Sequence, residues 1–223
     1  VNKGFFLLPL AIFLTGCKVD MDATIPMSGI FGKEIKHDAA NRYVEVATCN
    51  SYDDSRKPSA SLVEATKTIP EIIQGAEFKE CFTKKFNSYA HFSFPIAYGP
   101  SNLIKESDPK IRVFSRDGRF VFLDISPSLK SKLEKYKKNN LSLGSFKTSD
   151  LNISLNIKND MGADYQSGFY SVFIDNFPII YAEGVTLVNG STTSLKLSDV
   201  TIESAFSPAE NKLMAYFMQI QVD

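Results

Sequence analysis

"IRVFSRDGRFVFLDI", residues 111–125, is the stretch on which the fold reading turns. Two arms of alternating pattern flank Asp117-Gly118. Asp-Gly is the pair that accepts the left-handed backbone of a tight hairpin turn, so the segment predicts two antiparallel strands. Ser126-Pro127 follows at once and opens a helix, Ser126 as N-cap and Pro127 at the first helical position. The helix runs to Asn139-Asn140 with a basic last turn, which suits the helix dipole. Strands followed by a capped helix is the theme, and it predicts an α+β fold of antiparallel sheets with a few capped helices.

Upstream, "KVDMDATIP" alternates Val19, Met21, Ala23 and Ile25 against Asp20, Asp22 and Thr24, a half-buried strand. "RYVEVATC" (42–49) reads as a second strand and "NSYDDSRKPSAS" as a polar loop that includes Asp53-Asp54. Ser61-Leu-Val-Glu64 fits a capping box for a helix that runs toward Gly75 and is broken or restarted at Pro70. "AEFKECF" and "SYAHFSFPIAY" read as strands, the second with Ala90, Phe92, Phe94 and Ile96 on one face. Downstream, "NNLSLGSFKTSD" reads as a linker and "LNISLNI" as a strand with Leu151, Ile153, Leu155 and Ile157 on one face. "GFYSVFIDNFPIIYAEGVTLV" is strand-rich, and Asn189-Gly190 marks a turn. Ser207-Pro208 opens a final helix whose stripe includes Leu213, Met214, Phe217, Met218 and Gln221.

Two echoes occur in the same order. "FPIAY" (94–98) is matched by "FPIIY" (177–181), and "SPSLKSKLEKY" (126–136) by "SPAENKLMAY" (207–216). They read either as a duplicated unit, two related strand-rich modules each closed by a helix, or as coincidence between common strand and cap sequences. The expected organisation is residues 1–16 as a signal peptide, 17–139 as an N-terminal module, 140–150 as the linker and 151–223 as a C-terminal module.

The composition excludes more than it assigns. Of 223 residues, 25 are Lys or Arg and 25 are Asp or Glu, so no basic surplus exists to neutralise phosphates and nucleic acid is not an expected partner. With 18 Phe, 9 Tyr and no Trp, the core is expected from Phe, Ile, Leu and Val. No GxSxG elbow, HExxH or CxxC occurs. The two histidines, His37 and His91, lie far apart in the sequence and read as solvated. "NIKNDMGADYQSG" (156–168) resembles a calcium loop, but Lys158 occupies a ligand position, Gly162 is one place late and no Glu closes it, so it reads as a polar hairpin turn. No catalytic residue, metal ligand or cofactor is therefore expected. "KLEKYKK" (132–138) reads as the wet face of a helix, able to touch anionic head groups at about 1 kcal/mol per lysine.

The N-terminus carries the address. Lys3 precedes an apolar run of 11 residues, Gly4–Leu14, which ends in small residues. That is the grammar of an export signal, and the run is too short for the roughly 20 residues a membrane-spanning helix needs. Leu14-Thr15-Gly16-Cys17 resembles the lipobox of bacterial lipoprotein precursors. The resemblance implies a diacylglyceryl group on the Cys17 sulfur, cleavage between Gly16 and Cys17, and acylation of the new amine. Two or more acyl chains anchor stably where one does not. Lys18 in place of Asp resembles the outer-membrane-directed case. Removing residues 1–16 leaves 24 basic against 25 acidic side chains, a net charge of −1.

Export places the remaining cysteines, Cys49 and Cys81, in an oxidising compartment, where a pair reads as a disulfide, the alternative being two buried free thiols. For their spacing of 32 residues, the chain-entropy model gives on the order of 3–4 kcal/mol. The segments "CKVDMDATIPMSGI" (17–30), Asp53–Ser59 and Cys81–Phe86 are similar to uncharacterised lipoproteins carried by phages and mobile elements of enteric bacteria, a resemblance that implies no activity. The expectation is a non-enzymatic binding protein, lipid-anchored in the cell envelope at the periplasmic face of the outer membrane. It would engage an envelope protein or an incoming agent, as in prophage-encoded exclusion or immunity. A structural part of a secretion or conjugation assembly, and a hydrolase whose site assembles only in tertiary structure, stay open beside it.

Overall fold

The hairpin forms where the sequence places it. In the computed structural model, which describes residues 19–139, 151–206 and 216–221, β5 (Ile111–Arg116) and β6 (Phe120–Ile125) pair from Ile111↔Ile125 to Arg116↔Phe120. Asp117 and Gly118 both take positive φ, 53° and 62°, the two left-handed positions of a hairpin turn. Asp175 and Asn176, at 50° and 69°, make a second such turn between β8 (Tyr165–Ile174) and β9 (Phe177–Leu187). The other strands are β1 (Val19–Pro26), β2 (Lys36–Val46), β3 (Glu77–Lys84), β4 (Asn87–Pro100), β7 (Leu151–Lys158), β10 (Thr192–Leu197) and β11 (Tyr216–Ile220). Four helices complete the described chain: α1 (Met27–Ile30), α2 (Ala60–Ile72), α3 (Pro127–Asn139) and α4 (Asp199–Phe206).

These strands close into one barrel, and the α+β expectation is overturned. Strand accounts for 53 % and helix for 21 %, and nine strands form a closed ring. The order is β10-β7-β1-β2-β4-β5-β6-β11-β8, with β8 returning to β10. β8 closes the ring by pairing with β11 through Ser167–Phe169 and with β10 through Val172–Ile174. Most contacts are antiparallel, but β1 runs parallel to β7 and β4 parallel to β5. Two strands lie outside the ring, β3 on β4 and β9 on β8. The expected pair of strand-and-helix modules does not occur, because the arc β1-β2-β4-β5-β6 from the first half and the arc β11-β8-β10-β7 from the second join edge to edge in one barrel. "FPIAY" lies in β4, where Phe94 is buried, whereas "FPIIY" lies in β9, where Phe177 is exposed. Closure requires pairings between residues more than a hundred positions apart, and local periodicity carries no information about those.

Several local expectations also shift. Ser59, not Ser61, caps α2, its hydroxyl accepting from the Leu62 amide at 3.1 Å, and the helix continues through Pro70. Ser126 caps α3 as predicted. The segment after Lys158 is not a hairpin turn, since β7 pairs with β1 and β10 and not with β8. Phe217 and Met218, expected on a final helix, lie on β11, and Leu213 and Met214 fall outside the described residues. So does the 140–150 linker.

The core fills the barrel. Met21, Ala23 and Ile25 point inward from β1, Ala90, Phe92, Phe94 and Ile96 from β4, and Leu151 to Ile157 at alternate positions from β7. The alternate positions Asp20, Asp22, Asn41, Glu45, Asn152 and Ser154 face outward. Apolar inside and polar outside is the reverse of a membrane-spanning barrel. Among the described residues no helix is long and apolar enough to cross a membrane. α1 packs buried at the end where β1 stops, with Ser115 Oγ donating to the Ile30 carbonyl at 2.7 Å. α2, α3 and α4 pack at the opposite end, where β1, β5 and β7 begin and β6 stops.

Candidate functional site

The strand parity that buries the core also buries a charge. β2 alternates inward Ala40, Arg42, Val44 and Val46 with outward Asn41, Tyr43 and Glu45. Arg42 lies across from Met21 on β1 and Phe92 on β4, and only 8 % of it is exposed. It lines a cavity of about 30 Å³ at the barrel end that α2, α3 and α4 cover. The rest of the lining is apolar and includes Phe94, Ile111, Leu129, Leu133 and Ile153. Among the described residues no carboxylate pairs with Arg42, and its Nε–H is buried without a hydrogen-bond acceptor. Desolvation alone pushes the guanidinium down to about 10, so it stays charged at neutral pH. An unpaired buried ion costs several kcal/mol. Arg112, equally buried and also with an Nε–H that has no acceptor, differs in its charge partner: it pairs across the β5–β6 ladder with Asp124 at 2.9 Å.

A second feature lies on the outside. β9 hydrogen-bonds to β8 along one edge, and its other edge pairs with no described strand. Its first residues are apolar and exposed: Phe177 is 73 % exposed, Ile180 88 % and Tyr181 54 %. Only Glu183 in β9 is charged, whereas the other outlying strand, β3, carries Glu77, Lys79, Glu80 and Lys84. Charged side chains are how proteins protect a sheet edge from pairing with another chain.

A family model described as a domain of unknown function, DUF7424, matches residues 21–220. The chain belongs to the DUF7424 family. That span runs from the third residue of β1 to the last of β11, so the DUF7424 domain is the barrel with its outlying strands and helices. No curated protein and no solved structure matches the chain.

Within the DUF7424 barrel, the residues singled out from the sequence do not converge. Cys17 lies outside the described residues. Cys49 and Cys81 are joined, with Cα atoms 5.6 Å apart, tying the chain after β2 to β3 and enclosing α2. His91 stands on the outer wall, stacked on Tyr43 at 4.8 Å, with Nε2 3.0 Å from Asn41 Oδ1 and Nδ1 3.6 Å from Glu80. Asn41 in turn donates to Asp22 at 3.3 Å, so a polar chain crosses β1, β2, β4 and β3. His37 meets Asp108 at 3.3 Å near the start of β2. The two histidines register six residue steps apart on the β2–β4 pair, roughly 20 Å, and neither lines the cavity. Asp54 in the polar loop pairs with Arg56 at 2.9 Å. Asn159, in the calcium-like stretch, is buried and donates to the Ala163 and Leu187 carbonyls, which fixes the loop from within. Among the described residues no cluster of three or more His, Cys, Asp or Glu is placed to hold a metal.

Sequence reasoning missed Arg42, although the signal was present. "RYVEV" alternates, and the parity that sends Val44 and Val46 inward sends Arg42 with them.

Proposed function

We propose that the protein is an envelope lipoprotein, anchored by lipid on Cys17, that binds an envelope protein by taking an extended apolar segment along β9. The observation that carries this reading is the open edge of β9, apolar and nearly free of charge, whose run of backbone donors is interrupted only at Pro178 and at the bulge by Gly184. An open edge offers a row of backbone donors and acceptors, and Phe177, Ile180 and Tyr181 offer apolar side chains beside it. The chemistry that satisfies both at once is a strand of another chain rich in apolar residues, which is how β-strand addition works. The anchor reading is supported by Leu14-Thr15-Gly16-Cys17 and by the start of β1 at Val19. A single residue would separate the lipid-bearing cysteine from the barrel, a reach of under about 10 Å. The barrel end covered by α2, α3 and α4 would then sit at the bilayer, with β9 on the wall above it. The likeness to phage-borne lipoproteins makes exclusion or immunity the fitting biological setting.

A photocrosslinking residue at position 180 tests the docking half, with the same residue at position 79 on the β3 edge as the comparison. The expected result is one envelope protein crosslinked from position 180 and not from 79, through an apolar extended segment, and lost in Ile180→Lys, which melts like the parent protein. Crosslinking only to a second copy of this chain, or equally from both positions, overturns it. For the anchor, mass spectrometry of the envelope form is expected to give a chain beginning at acylated Cys17. A chain beginning at Val1 with a free thiol overturns that half separately.

A further inference from the structure

We propose that the barrel-end cavity is a binding site for an aliphatic monocarboxylate, a fatty acid anion, whose carboxylate is held by Arg42. This does not depend on what docks at β9. The cavity, of about 30 Å³, admits a group the size of a carboxylate and little more, so the ligand enters head first. Among the described residues, Arg42 is the sole polar side chain of the lining, and its Nε–H has no acceptor. A guanidinium presents parallel N–H donors that match the two oxygens of a planar carboxylate, which makes carboxylate its natural bidentate partner. One cation calls for one negative charge. A phosphate dianion would bring a second charge with no second cation in the lining, and a sugar or nucleotide would bring polar groups with no partners there. Beyond that volume the stem has to part the side chains of the lining, and Ile111, Ile153 and the α3 residues Leu129 and Leu133 are all aliphatic. The pairing would also remove the cost of an isolated buried charge, which no described carboxylate of the chain removes.

Octanoate is the probe, titrated into the full mature protein by calorimetry, with octylammonium and acetate as comparisons. The expected result is saturable one-to-one binding of octanoate, at least tenfold weaker binding of acetate, which has the head without the stem, and none of octylammonium, which has the stem with the wrong charge. Arg42→Met replaces the charge with an apolar chain of similar length. It is expected to melt at or above the parent temperature and to bind octanoate at least tenfold more weakly. Unchanged octanoate binding by a folded Arg42→Met overturns the proposal. Should that variant not fold, the unmodified protein still decides. One arginine Nε–H resonance is expected to shift progressively as octanoate is added, and an arginine Nε–H spectrum indifferent to octanoate overturns the site.

Discussion

Asp160 shows how a single side chain can hold an end of the barrel in place. Its carboxylate receives the Ser28 amide at 2.8 Å and the Ser28 hydroxyl at 2.5 Å, joining the loop after β7 to α1. Partial burial pushes this carboxyl up, but the two hydrogen bonds from Ser28, with a smaller share from its own amide and the Lys158 charge, outweigh it and hold it below its ordinary value. A carboxyl held lower in the folded chain than in the unfolded one stabilises the fold above its unfolded pKa, about 3.9, and that contribution fades as pH falls through the folded value. Asp160→Asn is therefore expected to be less stable than the parent at pH 7, with the gap closing below roughly pH 4. Urea unfolding at pH 7 and pH 3 checks this, and a gap of equal size at both refutes it. Residue roles of this kind were only partly legible beforehand. Arg42 could be placed inward by counting along β2, but its lack of a partner could not, because that depends on which side chains β1, β4 and the helices bring to the same end. Asp160 looked like one of several loop carboxylates until α1 folded against it.

The elements themselves were largely legible, and their surroundings were not. The inward residues of β1, β4 and β7 follow the period-two pattern of the sequence, and the turns at Asp117-Gly118 and Asn189-Gly190 occur where turn chemistry puts them. "FPIAY" and "FPIIY" are both strand sequences, yet one is core and the other is an open edge, since burial is decided by neighbours that pair from elsewhere. α2 is an element whose start was misplaced by two residues. Ser59 outcompetes Ser61 because its hydroxyl both caps the Leu62 amide and donates to the Thr48 carbonyl, and its own amide donates to the Cys49 carbonyl at 3.0 Å. Loss of an N-cap costs about 1–2 kcal/mol, and here the half-buried Thr48 carbonyl also loses its donor. Ser59→Ala is thus expected to lower stability by about 2 kcal/mol, while Ser61→Ala changes it by under about 0.5 kcal/mol. The urea midpoints of the two variants provide the comparison.

At the scale of the whole molecule, the ring makes the two halves of the chain interdependent. β1 needs β7 on one side, and β6 needs β11 on the other, so residues 17–139 alone would carry two unpaired strand edges over an open core. That fragment is expected to show no cooperative thermal transition, and adding residues 151–223 as a separate chain is expected to restore one; a sharp transition in the fragment alone would contradict the closed ring. This interdependence was the part of the fold least legible in the sequence, since no local pattern reveals which distant strand fills an edge. It also sets the order of events in time. Val19 pairs with Leu151, 132 positions later, and Phe122 with Tyr216. Loops that long close slowly, and exposed strand edges invite aggregation while they wait. A newly made chain of this topology therefore carries exposed strand edges from the moment β1 emerges until β11 pairs with β6 and β8.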